Sequence, residues 1–145
     1  MFFTGFTRFS SDIQKVNTVN GTDEKRTKLK KMYNLVDEAE AVLTNNDRNI
    51  DEFGELLNET WKLKKGTGNS ISTGSIDELY DKGIKAGALG GKLLGAGGGG
   101  FLVFYVQPEK QEHVKKAMRD LMYIPFKFED GGTRVIHYSP EEFEL

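Results

Sequence analysis

Residues 90–106 read Gly90-Gly91-Lys92-Leu93-Leu94-Gly95-Ala96-Gly97-Gly98-Gly99-Gly100-Phe101-Leu102-Val103-Phe104-Tyr105-Val106, and the fold turns on how this stretch is read. The six apolar residues from Phe101 to Val106 predict a strand covered on both faces. The residues before them predict a flexible loop entered from a second strand-forming stretch. Nine of the 17 glycines fall between Gly83 and Gly100, four of them in succession. Such a concentration means that the backbone itself is used there, through positive φ angles or close approach by another group. Consecutive glycines can also aim several N–H groups at one point and form a nest for an anion.

Upstream, Ser75 and Glu78 have capping-box spacing, and Ile76, Leu79, Tyr80, Gly83 and Ile84 mark a helix closed by Gly87. The small, polar run from Gly66 to Gly74 predicts a mobile loop. Before it, Asn49 with Glu52 resembles a second capping box, and Phe53, Leu56, Leu57 and Trp61 give a helical apolar stripe that fades near Gly66. Thr22 caps an earlier helix whose first turn carries Asp23 and Glu24; Leu29, Met32, Tyr33, Val36 and Leu43 predict its buried face. Phe2 to Phe6 reads as a short strand. Residues 7–19 are ambiguous, with Ser10 or Ser11 able to cap a helical turn that contains Ile13 and Val16.

Downstream, Pro108 starts a helix that faces Val114, Ala117, Met118 and Leu121 inward. Phe126 to Phe128 and Thr133 to Tyr138 predict two strands joined by a tight turn at residues 129–132, with Pro125 at an edge or a strand start. The order of elements is α+β: a small, mostly antiparallel, ferredoxin-like sheet with helices packed on it.

Length and composition bound the function. A chain of 145 residues fits one compact domain. Zero cysteines remove disulfides, Cys-ligated zinc, iron–sulfur clusters and thiol nucleophiles, and fit a reducing cytoplasm. A net charge of -2 gives no basic field for nucleic acid, and no apolar run reaches the length of a membrane span. His113 and His137 are the two histidines and have no neighbours at metal-ligand spacing. The basic run Lys25, Arg26, Lys28, Lys30 and Lys31 is flanked by Glu24, Asp37, Glu38 and Glu40, as on a solvated helix face. The glycine stretch is not a Walker A loop, because Gly91-Lys92 is followed by Leu93 where Ser or Thr would hold magnesium. Gly95-x-Gly97-x-x-Gly100 matches a dinucleotide fingerprint in spacing but leads into a strand, whereas that fingerprint opens a helix.

The run from Ser75 to Tyr80, continued by Ala86-Gly87-Ala88-Leu89 and the glycine stretch through Phe101, resembles the third motif of the GHMP kinase superfamily with its preceding helix. Supporting segments are Phe2-Phe3-Thr4-Gly5 followed by Arg8, Glu59-Thr60-Trp61 with Lys64-Lys65, and residues 130–136. The wording is most similar to the branch that phosphorylates D-glycero-D-manno-heptose 7-phosphate. The resemblance implies that residues 1–145 form a GHMP kinase C-terminal domain. It also implies that an N-terminal domain with a Pro-x-x-x-Gly-Leu-Gly-Ser-Ser-type ATP loop is supplied from outside this sequence. ATP, Mg2+, a phosphosugar substrate and a cytoplasmic setting follow by the same implication. The isolated chain would be inactive.

In that light the expected phosphate- or substrate-facing residues are Gly95, Ala96, Gly97, Gly98 and Gly99, with Lys92, Lys64 and Arg8 as charged candidates. No catalytic or metal-binding residue is assigned. Each charged candidate has a second reading: Lys92 as a brace for the loop, Lys64 and Lys65 as a solvated helix end, Arg8 as a structural ion pair. Asp77 is sufficiently explained by its place in a helix's first turn. Two rival functions stand beside the kinase reading: a non-catalytic α+β small-anion-binding or regulatory module, and a structural domain that forms a homodimer through an apolar sheet edge or helix face.

Overall fold

The computed structural model describes residues 1–6, 23–68, 71–95 and 97–138. Its elements are β1 (Phe2–Phe3), α1 (Asp23–Thr44), α2 (Asp51–Lys65), α3 (Gly74–Lys85), β2 (Gly90–Leu94), β3 (Phe101–Tyr105), a 3-10 turn (Pro108–Lys110), α4 (Gln111–Ala117) and β4 (Met122–Tyr123). The strands pair antiparallel in the order β2-β3-β1-β4. With helices between β1 and β2 and between β3 and β4, this is the split βαβ, ferredoxin-like arrangement, α+β in class. Among the described residues no helix is long and apolar enough to cross a membrane.

The register puts Leu94 beside Phe101, Phe101 beside Phe3, and Phe3 beside Met122. One face of the sheet carries the core. Trp61, Ile71, Ile76, Tyr80, Leu93 and Leu102 form one buried cluster; Phe2, Ala86, Ala88, Val114 and Met118 form the other, with Phe104 packed against both.

Helix ends follow local chemistry. The Asn49 N–H donates to Glu52 Oε1 at 3.2 Å and the Asp51 N–H to Asn49 Oδ1 at 3.0 Å, which is the reciprocal cap read from the sequence. For α3 the cap moves two residues upstream: Thr73 Oγ1 accepts from the Ile76 N–H, and Ser75 lies inside the first turn. Gly87, at φ +111°, closes α3, with the Gly87 and Ala88 N–H groups donating to the Ile84 and Gly83 carbonyls.

Two expectations are corrected. In α1, Leu29, Tyr33, Val36 and Leu43 are exposed, and the buried residue is Val42, with Met32, Leu35 and Ala39 partly covered. Periodicity locates a stripe but not its partner; α1 packs along α2, and the stripe lies to one side of that contact. The terminal strands at 126–128 and 133–138 do not form. Among the described residues the last strand is β4, extended by the Ile124 N–H donating to the Met1 carbonyl at 2.8 Å, and residues 125–138 run outside the ladder with Phe126, Phe128, Val135, Ile136 and Tyr138 exposed. Thr22 and the ambiguous turn with Ser10, Ser11, Ile13 and Val16 lie outside the described residues.

Tyr80 ties α3 to α2, its hydroxyl donating to Asn58 Oδ1 at 2.9 Å. Burial pushes this phenol up to about 12. Tyr80→Phe is expected to lower stability by roughly 1–2 kcal/mol, read as a lower melting temperature. The raised value means that the fold favours the protonated phenol. Its contribution is therefore complete below pH 10 and decays as the pH climbs towards 12, a decay that the variant lacks when both are melted across that range.

Candidate functional site

The glycine loop joins β2 to β3 and is fastened from two sides. The Gly98 N–H donates to the Ile71 carbonyl at 3.0 Å, and the Gly100 N–H to the Phe6 carbonyl at 2.8 Å. The Gly100 carbonyl accepts from both the N–H and the hydroxyl of buried Thr4, each at 2.9 Å. Gly97, at φ +117°, could not carry a side chain: its Cβ would lie 2.9 Å from the Ile71 Cα and carbonyl oxygen. A Cβ on Gly99 would come within 2.4 Å of the Phe6 carbonyl oxygen.

Much of the glycine content therefore serves close approach by the chain's own backbone, and the Gly98 donor is used inside the fold. Gly97 and Gly98 are buried, Gly99 is partly exposed and Gly95 is exposed. Ala96 and Arg8 lie outside the described residues.

The lysines come to the solvent side of this loop. Lys64, in the last turn of α2, donates from Nζ to the Gly95 carbonyl at 2.8 Å. Burial holds its ammonium below the usual lysine range, and the charge of Lys92 on β2 pushes the same way. Among the described residues neither Lys64 nor Lys92 makes an ion pair. Lys65 differs. Its Nζ meets Asp77 Oδ1 at 2.8 Å, Ser72 donates to the same oxygen at 3.0 Å, and the ammonium stands 5.9 Å from the Trp61 ring. Lys65 and Asp77 thus tie the start of α3 to the end of α2, and Lys64 and Lys92 are left as two like charges beside one loop. Such a pair is costly to hold alone and is relieved by an anion.

Sequence reasoning weighed Lys65 and Asp77 separately without pairing them, and it gave no site role to Thr4, Ile71 or Phe6. Two act through main-chain carbonyls that no pattern marks, and Lys65 and Asp77 are 12 residues apart with a loop between them. A cavity of about 170 Å³ lies elsewhere, on the α4 side of the sheet, lined by Phe2, Phe104, Val106, Gln111, Val114 and Lys115 among others. No group of three or more His, Asp or Glu that could hold a metal is gathered among the described residues.

A family model described as "GHMP kinases C terminal" matches residues 35–124. The chain is 31% identical over 140 residues to the D-glycero-alpha-D-manno-heptose 7-phosphate kinase of Campylobacter jejuni, covering 92% of this chain and 40% of that protein. It is 38% identical over 112 residues to the mevalonate kinase of Thermococcus sibiricus, covering 74% of this chain and 33% of that one. The solved mevalonate kinase of Methanococcus jannaschii superposes with a TM-score of 0.68 at 26% identity, over 82% of this chain and 35% of its own. This chain therefore spans well under half the length of these relatives.

Proposed function

The chain belongs to the GHMP kinase family, whose C-terminal domain it matches, and from that premise we propose that it forms one wall of an ATP-dependent phosphotransferase cleft. The other wall is an N-terminal domain that carries the ATP loop, and the setting is cytoplasmic. The acceptor is a hydroxyl of a phosphosugar, in the first instance the anomeric hydroxyl of heptose 7-phosphate. The relative matched over most of this chain supports that choice.

The observation that carries the reading is Lys64 holding the carbonyl of the exposed Gly95 turn, within the electrostatic reach of Lys92 and, among the described residues, with no carboxylate partner for either lysine. Phosphoryl transfer depends on positioning and on spreading charge over oxygens, so two cations and a rigid main-chain bend contribute without supplying a base. In this reading Gly95, Ala96, Gly97 and Gly99 border the phosphate, Gly98 fixes the bend from behind, and Arg8 remains a candidate substrate contact. Magnesium, if bound, would neutralise charge on the transferring phosphate.

The mevalonate kinase relatives favour one second reading, in which the acceptor is an alcohol bearing a carboxylate. Both readings require an anion beside Lys64. Amide spectra of the chain titrated with magnesium-ATP, heptose 7-phosphate and mevalonate are expected to shift at Gly95, Gly97 and Gly99. ADP release with the N-terminal domain added then chooses the acceptor. Shifts confined to the α4 cavity would overturn the assignment.

The pH dependence is fixed in sign. Lys64 sheds its proton below the ordinary 10.5, and an anion binds the protonated form. Phosphate affinity should therefore weaken as the pH rises towards that value, and the weakening should begin at higher pH in Lys92→Met, where the repelling charge is gone. Calorimetric titration across the alkaline range reads both curves.

A further inference from the structure

The exposed stripe of α1 is unusual in what flanks it. Leu29, Tyr33, Val36 and Leu43 are 49%, 72%, 60% and 58% exposed on a helix of 22 residues, about 33 Å long. Charge is segregated along that length. The first half carries Lys25, Arg26, Lys28, Lys30 and Lys31 against Asp23 and Glu24, five basic to two acidic; the second carries Asp37, Glu38 and Glu40 with no basic residue. Several of these are engaged within the chain: Lys28 with Glu24 and the Gly66 carbonyl, Arg26 with Asp23 at 3.9 Å, Glu38 with Arg48, and Lys25 as well. Arg26 and Lys30 at one end, and Asp37 and Glu40 at the other, border the apolar stripe.

We propose that this face docks a second copy of the same chain, α1 against α1, antiparallel, about a twofold axis that passes between Tyr33 and Val36. Antiparallel pairing lays Tyr33 on the copy's Val36 and sets Leu29 and Arg26 beside the copy's Glu40 and Leu43. Each basic half then meets an acidic half, so both ends of the contact gain at once, as an isologous interface requires. Parallel pairing would bring basic half against basic half. The helix dipoles also oppose each other favourably. One helix per partner is a small interface, so the dimer is weak, with a dissociation constant on the order of 10–100 μM.

Sedimentation equilibrium of the 145-residue chain over a concentration series is expected to give a monomer–dimer equilibrium that weakens several-fold with added salt. Val36→Glu should raise the dissociation constant at least about tenfold while circular dichroism stays unchanged, since the side chain is exposed. The chain has no cysteine, so introduced ones report geometry directly. Val36→Cys should cross-link copy to copy; Leu29→Cys should cross-link with Glu40→Cys but not with itself. A chain that stays monomeric to millimolar concentration, a dimer indifferent to Val36→Glu, or self-linking of Leu29→Cys would each overturn the proposal. So would protection of the stripe by an added N-terminal kinase domain when the chain alone is monomeric.

Discussion

Gly90→Ala is expected to lower the melting temperature by on the order of 10 °C. A Cβ at position 90 would stand 1.8 Å from the Gly54 carbonyl oxygen and 2.8 Å from the Asn58 nitrogen, so it meets backbone that has no rotamer through which to yield. Gly54 is closed in turn, its own Cβ falling 2.7 Å from the Tyr105 ring and 2.9 Å from Leu89. The two glycines form the seam along which α2 lies on β2, and that seam carries Trp61 into the core and Lys64 to the loop. Separating it costs about 3 kcal/mol or more, at the upper end of overpacking. Gly95→Ala is the control: it has nothing within 4 Å and only its φ of +93° to strain, so it should cost about 1–2 kcal/mol. Equal melting temperatures for the two variants, measured by calorimetry, would show that the seam relaxes freely.

That contrast explains how much was legible in the sequence. The glycine concentration was visible and correctly marked a place where backbone is used, and the strand after it, the capped helix before it and the ferredoxin-like order all followed. What the glycines face was not legible. Gly83 receives the Phe104 ring, Gly90 the α2 backbone and Gly97 the Ile71 backbone, and each absence of a side chain looks the same in a string of letters as one that admits a ligand. The same limit applies to α1, where the apolar spacing was real but could not say whether α2 or solvent lay opposite. The terminal strands failed for a different reason. Residues 126–128 and 133–138 have strand-like composition, but in this chain β4 forms at Met122–Tyr123 and they find no ladder to join. Lys64 was legible as a candidate because it closes a helix before a flexible run, whereas its lack of an ion pair among the described residues required the fold.

Lys64→Met is expected to weaken phosphate binding by about 10–100-fold while leaving the melting temperature unchanged or slightly raised. The first effect follows from losing a charge-assisted hydrogen bond to an anion, worth roughly 1.5–3 kcal/mol. The second follows from the state of Lys64 in the free chain. Its ammonium is half-buried, is disfavoured by that burial and is repelled by Lys92, and the carbonyl it holds belongs to exposed Gly95, which water can serve instead. A lysine kept for architecture would show the reverse, with binding little altered and stability lost. Lys92→Met should weaken binding too, and it should also lift the Lys64 ammonium back towards the ordinary range, so part of its cost reappears as a shifted pH profile. In the kinase proposed above, kcat/KM should fall in both variants. Opposite signs for binding and stability at one side chain are what a site built for an absent charge requires, because the repulsion that burdens the free chain is what the bound anion removes.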